Sequence, residues 1–297
     1  MKPRLLNIVG PTASGKTSLS IKLAERFNGE VISADSRQVY KSLDLGSGKV
    51  TKEEMKGVPH HLLDVAEPMS IYTAYDFTRD ASLAINEITQ RGNLPVIAGG
   101  TFFYIDSLLQ KNSLPEVAPN EELRAVLAVK SAAELFTQLK ELDSERAKTI
   151  DPQNPRRLIR AIEIATALGS VPKNPTGNSP YNTLTLGIQI DKEELHKNIS
   201  VRLQERLKAG MVLEVETLLK NGVTHERLED LGLEYRYLSR YLQGVMTYET
   251  AIEELETKIK QFAKRQMTWL KRGQSIVWIN PKNTEDIFST VNEWLQD

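Results

Sequence analysis

Short apolar runs alternate with stretches of helical spacing along the first hundred residues. Residues 5–9 are an apolar run stopped by Gly10-Pro11, the mark of a buried strand. Residues 18–27 carry Leu19, Leu23 and Phe27 on one helical face, and 30–34 form a second short strand ending at Asp35. Phe77, Ala81, Ala84, Ile85 and Ile88 give helical spacing over 75–89, and a third apolar strand at 94–98 stops at Gly99-Gly100. Strands and helices that alternate this way predict a parallel α/β sheet.

The pattern changes near Leu114. Residues 115–168 contain no strand run and predict helices at 121–129, 132–142 and 156–168. A Gly/Asn/Ser/Pro loop at 176–181 follows, and the β-branched alternation of 183–190 predicts that the sheet resumes. Helices are then expected at 195–209, 213–219, 233–243 and 250–272, with a late strand at 275–279. The predicted fold class is therefore α/β: a phosphate-loop-type parallel sheet core over residues 1–113 and 181–297, a small all-helical insertion over 114–180, and a helical C-terminal part.

Composition narrows the chemistry. With 38 basic and 39 acidic residues in a chain of 297, the net charge is −1, so any nucleic-acid contact must come from local patches. No cysteine is present, which excludes disulfides, thiolate nucleophiles and Cys-ligated metals. Only His60 and His61 of the four histidines are adjacent, and they are expected to support a turn or crevice wall rather than a metal. No apolar run approaches the ~18 residues of a membrane span, and 5–9 is too short for a signal-peptide core. A cytoplasmic monomer with no membrane contact is expected.

Gly10-Pro11-Thr12-Ala13-Ser14-Gly15-Lys16-Thr17 fits G-x-x-x-x-G-K-[ST] between a predicted strand and a predicted helix. Backbone amides of such a loop surround a phosphate, and the helix N-terminus adds partial positive charge. Lys16 adds a full charge, and the Thr17 hydroxyl can ligate Mg²⁺. The loop accepts two or three linked phosphates and does not by itself specify ATP. The strand ending at Gly99-Gly100-Thr101 lacks the acid of an ATPase. Asp35 is the best strand-end acid, with a turn or N-cap role as the alternative. Asp35 and Thr101 are expected to converge on the group that Lys16 holds. Gly46-Ser47-Gly48-Lys49 lacks the spacer of a second phosphate loop and is expected to be a turn.

These blocks resemble the bacterial tRNA dimethylallyltransferases (tRNA isopentenyltransferases). The resemblance runs through GPTASGKT (10–17), SADSRQVY (33–40), DLGSGK (44–49), PHHLLD (59–64), AYDFTRDA (74–81), AGGTFFY (98–104), DPQNPRRLIRAIE (151–163) and FAKRQMTWL (262–270). It implies transfer of a dimethylallyl group from dimethylallyl diphosphate to N6 of adenosine 37, in the anticodon stem-loop of tRNA. It further implies that Gly10, Thr12, Ala13, Ser14, Gly15, Lys16, Thr17 and Arg202 hold the diphosphate with Mg²⁺ at Thr17. Asp35 would be the general base, and Thr101 would bond the bridging or leaving oxygen. Asp35, Ser36, Arg37 and Gln38 would meet the tRNA.

Two basic clusters fit an RNA partner: Arg156, Arg157 and Arg160 in the insertion, and a later run that includes Lys264 and Arg265. Arg236, between Tyr235 and Tyr237, is a further candidate contact or an ordinary surface pair. Trp269 is expected in the core. Two positions depart from the family pattern: Glu234 stands where Gly-Tyr-[Lys/Arg] has glycine, and Asn198 where many members have arginine. An ATP-dependent small-molecule kinase and a non-catalytic RNA-binding protein are the alternatives at this point.

Overall fold

The computed structural model describes residues 2–110, 114–173, 179–272 and 275–297. Residues 176–178 of the expected loop at 176–181 lie outside them. The described residues build one six-stranded sheet from β1 (Arg4–Val9), β2 (Gly29–Ser33), β3 (His60–His61), β4 (Leu94–Gly99), β5 (Asn182–Ile188) and β6 (Val277–Ile279). The order is β3-β2-β4-β1-β5-β6, with every pairing parallel.

Successive side chains of a strand point to opposite faces, so an apolar run without polar alternation needs cover on both. Leu5 and Val9 of β1 face one side with Ile97 of β4, where Phe77, Ala81, Ile85 and Ile88 of helix Ala74–Gln90 cover them. Leu6 and Ile8 face the other with Val96, under Leu19 and Leu23 of helix Lys16–Phe27 and Ile287 and Val291 of helix Thr284–Gln296. Each such side chain, buried fully, contributes about 1.5–3 kcal/mol.

The polypeptide divides into two compact units, Met1–Leu109 with Ser179–Asp297, and Gln110–Asn178. In the first, helices Lys192–Lys208, Met211–Lys220, His225–Leu231, Leu233–Leu242 and Tyr248–Leu270 share an apolar cluster that includes Leu203, Val215, Leu238 and Leu255. In the second, helices Glu121–Ala128, Ala132–Leu142 and Pro155–Leu168 pack around Leu127, Leu135, Leu139, Leu158 and Ile162. Helix Pro155–Leu168 starts on Asn154, whose side chain accepts the Arg157 amide (3.2 Å), with Pro155 at its first turn.

Six described elements lie outside the sequence expectation: β3 and helices Lys52–Met55, Phe102–Leu108, Ser144–Ala147, His225–Leu231 and Thr284–Gln296. Helix Phe102–Leu108 is buried at every position but Phe103, so no polar stripe marks its period. β3 is two residues long and exists through its pairing with Val31 and Ile32.

Candidate active site

The chain leaves β1 towards β2 and β4 on one side of the sheet and returns to β5 on the other. Ligands of open α/β sheets bind at such a switch point, outside the carboxyl ends of the strands. A cavity of about 1090 Å³ opens there. Thr12 to Thr17, Asp35, Gln38, Gly100, Asn198, Arg202 and Arg206 line it, with Ile21, Val50, Ile190 and Val201 among its apolar members.

The glycine loop is bent by left-handed backbone at Ala13 (φ 59°) and Gly15 (φ 91°), and helix Lys16–Phe27 starts directly after it. Thr12 to Thr17 line the cavity, where the amides of a helix N-terminus suit an anion. Lys16 Nζ donates to the Pro11 carbonyl (2.8 Å). Burial pulls the Lys16 ammonium down to about 8; Asp35 works against that shift and Arg202 adds to it. The Ser14 hydroxyl is buried without a hydrogen-bond partner, a polar group aimed at nothing in the protein itself.

Asp35 follows β2, and its Oδ1 accepts the amides of Arg37 (2.8 Å) and Gln38 (3.4 Å). The turn role and the cavity position thus belong to the same carboxylate. Thr101 sits beside it but does not line the cavity. Its Oγ1 accepts the Ser36 amide (3.0 Å), and its amide donates to the Ala34 carbonyl (3.1 Å). Gly99 makes this junction possible, because a Cβ there would lie 2.1 Å from the Ala34 oxygen. The absence of an acid at the end of β4 therefore has a packing reason.

Gln38 donates to the Gly48 carbonyl (3.2 Å) and accepts the Ser33 hydroxyl (2.8 Å). Arg37 turns away to the Leu231 carbonyl (2.5 Å). Segment 46–49 is a turn, as expected, and Lys49 is spent on Tyr40 O, Asp44 and Asp64. His60 and His61 are edge-strand residues; His61 meets Glu30 (2.6 Å), which Arg91 and Asn93 also hold. Among the described residues no group of three or more His, Asp or Glu could hold a metal. No helix described is long and apolar enough to cross a membrane.

The basic candidates separate by environment. Arg157, Lys264 and Arg265 are exposed, as is Arg156. Arg160 is committed to Glu163 and the Val117 carbonyl (2.9 Å), inside a network where Glu163 also accepts Asn120 N and Arg124. Arg236 binds Glu229 (3.0 Å to Oε1), and its flanking Tyr235 and Tyr237 are buried. Trp269 is half-buried and stacks on Phe102 (4.8 Å between centroids).

Gln266 escaped the sequence reading. From helix Tyr248–Leu270 its Oε1 accepts the Thr12 amide (2.8 Å) and its Nε2 donates to the Gly100 carbonyl (3.0 Å). It ties the glycine loop to the end of β4. The signal available was a polar residue inside the apolar stripe of a long helix, in the block 262–270. Glu214 was missed as well: it accepts the amides of Asp44, Leu45 and Gly46 and the Tyr235 hydroxyl, which fastens the 44–49 turn.

An all-parallel sheet with a glycine loop at the carboxyl end of β1 and a basic cavity over the strand ends define an α/β protein of the phosphate-loop class. The IPP transferase family model matches residues 38–273, and the chain belongs to that family. It is 42% identical over 297 residues to tRNA dimethylallyltransferase 2 of Shewanella sediminis, covering 99% of this chain and 98% of that protein. It is 41% identical to a tRNA dimethylallyltransferase of Staphylococcus aureus, over 95% of this chain and 94% of that one. The solved tRNA isopentenylpyrophosphate transferase of Bacillus halodurans superposes with a TM-score of 0.76 at 34% identity, over 99% and 97% of the two chains. A eukaryotic dimethylallyltransferase crystallised acting on tRNA gives 0.77 at 26% identity, over 94% of this chain and 74% of that one.

Proposed function

We propose that this chain is a cytoplasmic enzyme that transfers a dimethylallyl group from dimethylallyl diphosphate to N6 of adenosine 37 in tRNA. The observation that carries the reading is the convergence of Lys16, in its glycine loop, and Asp35 on one cavity, in a chain of this family. The loop amides, Lys16 and Arg202 hold the diphosphate and stabilise the charge that builds on it as it leaves. The N6–carbon bond forms, the carbon–oxygen bond to the diphosphate breaks, and the Asp35 carboxylate accepts the N6 proton. The fixed turn at Asp35 orients that carboxylate, and Thr101 braces the turn through Ser36.

Mg²⁺ fits this donor set. Thr17 offers a hydroxyl in the cavity and the substrate offers phosphate oxygens, while Mg²⁺ keeps several waters and needs few protein ligands. Bound there, it would neutralise diphosphate charge. The adenine has to leave its stack to reach Asp35. Exposed Arg156, Arg157, Lys264 and Arg265 supply the phosphate-backbone attraction.

The test is transfer of radiolabelled dimethylallyl diphosphate to unmodified tRNA with Mg²⁺, with ATP in a parallel tube. Label in tRNA, lost when adenosine 37 is replaced by guanosine, is the expected result. No label, with ADP released from ATP, would replace this reading with a kinase.

A further inference from the structure

Two arginines one helical turn apart, Arg202 and Arg206, line the cavity from helix Lys192–Lys208. Their i, i+4 spacing sets both guanidinium groups on one face, where like charges repel. Both lean on the backbone of Gly48. A Cβ at that position would lie 1.7 Å from Nη2 of Arg206 and 3.2 Å from Nη2 of Arg202. Any other residue at 48 would therefore displace the guanidinium of Arg206. Glu214 and Gln38 hold the Gly48 turn in place, through the bonds to 44–46 and to the Gly48 carbonyl.

Arg206 meets Glu234 through a single contact of 3.5 Å, with the two side chains 19% and 13% exposed. That is a long, monodentate pair, far from the bidentate geometry that compensates a buried arginine well. Burial pushes the Glu234 carboxyl up, and burial together with the neighbouring Arg206 pulls Arg202 down to about 10. Two further acids act on Arg202: Glu205 from the same helix, and Glu54, which lines the cavity and accepts the Thr51 amide (2.8 Å). Asn198, one turn before Arg202, brings a neutral amide bonded to the Ala13 carbonyl (3.4 Å). Two guanidinium groups so placed, with one loosely held carboxylate, form a site that an anion completes.

We infer that Arg206 is a diphosphate-binding residue, forming with Arg202 a two-guanidinium clamp, and that Glu234 is the counter-charge that keeps Arg206 on Gly48 until the anion arrives. This assignment rests on the diphosphate reading of the cavity given under Proposed function. From this helix the sequence assigns only Arg202 to the diphosphate, with Asn198 standing where many members carry a further arginine. Arg206 adds a second planar donor fork from the same helix, and its partner Glu234 occupies the position where the family pattern has glycine.

The experiment is calorimetric titration of inorganic pyrophosphate with Mg²⁺ into the full chain and its Lys16→Ala, Arg206→Met, Arg206→Lys and Glu234→Gln variants. Arg206→Met is expected to weaken pyrophosphate about tenfold and to raise KM for dimethylallyl diphosphate in parallel, with kcat changing less and tRNA affinity within about twofold. Arg206→Lys recovers most of the loss. Glu234→Gln binds pyrophosphate about two- to fivefold tighter, because the competing carboxylate is gone. Weakening by Arg206→Met and Glu234→Gln alike would mark a purely structural ion pair and overturn the clamp. So would an unchanged affinity in Arg206→Met when Lys16→Ala weakens binding. An unchanged affinity in Lys16→Ala would overturn the diphosphate reading itself, and the clamp with it. Should Arg206→Met not fold by circular dichroism, Glu234→Gln decides, tighter binding for the clamp and weaker binding against it.

Discussion

Asp35 and Lys16 line one cavity with opposite requirements. Burial pulls the Lys16 ammonium down to about 8, outweighing the help of Asp35. A bound diphosphate favours the ammonium and raises that value, so the complex holds more protons than the free partners above pH 8. Diphosphate affinity should therefore be flat below about 8 and fall as pH rises through it, with proton uptake on binding. Calorimetry in buffers of different ionisation enthalpy measures both, and Lys16→Arg should remove the fall. Asp35 acts later. Asp35→Asn keeps the acceptor for the Arg37 amide but cannot take a proton, so kcat should drop by about 10²–10⁴ while the Kd for tRNA stays within a few-fold. Unchanged turnover in single-turnover kinetics would remove Asp35 as the base.

Between elements, long-range side-chain bonds decide whether the loop sits where the chemistry needs it. Gln266→Met keeps the volume and removes both bonds that join the Thr12 amide to the Gly100 carbonyl. A loss of about 1–3 kcal/mol in stability is expected from the unpaired groups. KM for the diphosphate substrate should also rise several-fold, a readout that a remote structural bond would leave alone. Glu30 plays the comparable part at the far edge, joining β2 to His61 of β3 and to Arg91 and Asn93 before β4. Arg91, with Asn93 and His61, holds its carboxyl down to about 2. Between about 2 and 4.5 the unfolded chain binds the extra proton, so the stabilisation is complete above 4.5 and fades as pH falls towards 2. Glu30→Gln should cost about 2 kcal/mol at pH 7, discounted for the half-exposed Arg91, and visibly less at pH 3 in denaturant melts.

For the whole molecule, a net charge of −1 means that tRNA attraction comes from patches, and each patch has to be sorted by what its side chains already hold. Arg160 and Arg236 are engaged by Glu163 and Glu229, so neutralising them tests packing more than RNA binding. Alanine at Arg157, Lys264 and Arg265 together should weaken tRNA binding across sequences. The slope of log Kd against log salt should flatten by roughly 0.7–0.9 for each phosphate that the variant no longer neutralises. A filter-binding series at several salt concentrations checks it, and an unchanged slope would place the RNA elsewhere.

The strands at 5–9, 30–34 and 94–98, the three longer helices of the insertion and the glycine loop were all legible in the chain, because periodicity, turn residues and local motifs act over a few positions. Asp35 was legible for the same reason, as the acid at a strand end. Tertiary structure alone decided the rest. Thr12 and Gln266 are 254 residues apart, and the contacts of Arg206 with Gly48 and Glu234 join three separate segments. β3 exists only as a partner of β2, and Gly99 is glycine because Ala34 approaches it. A residue's type and neighbours in sequence carry its propensity and its charge. What a buried polar group bonds to, and hence whether a cation is spent inside the fold or left to meet a substrate, is settled by long-range packing that no local pattern encodes.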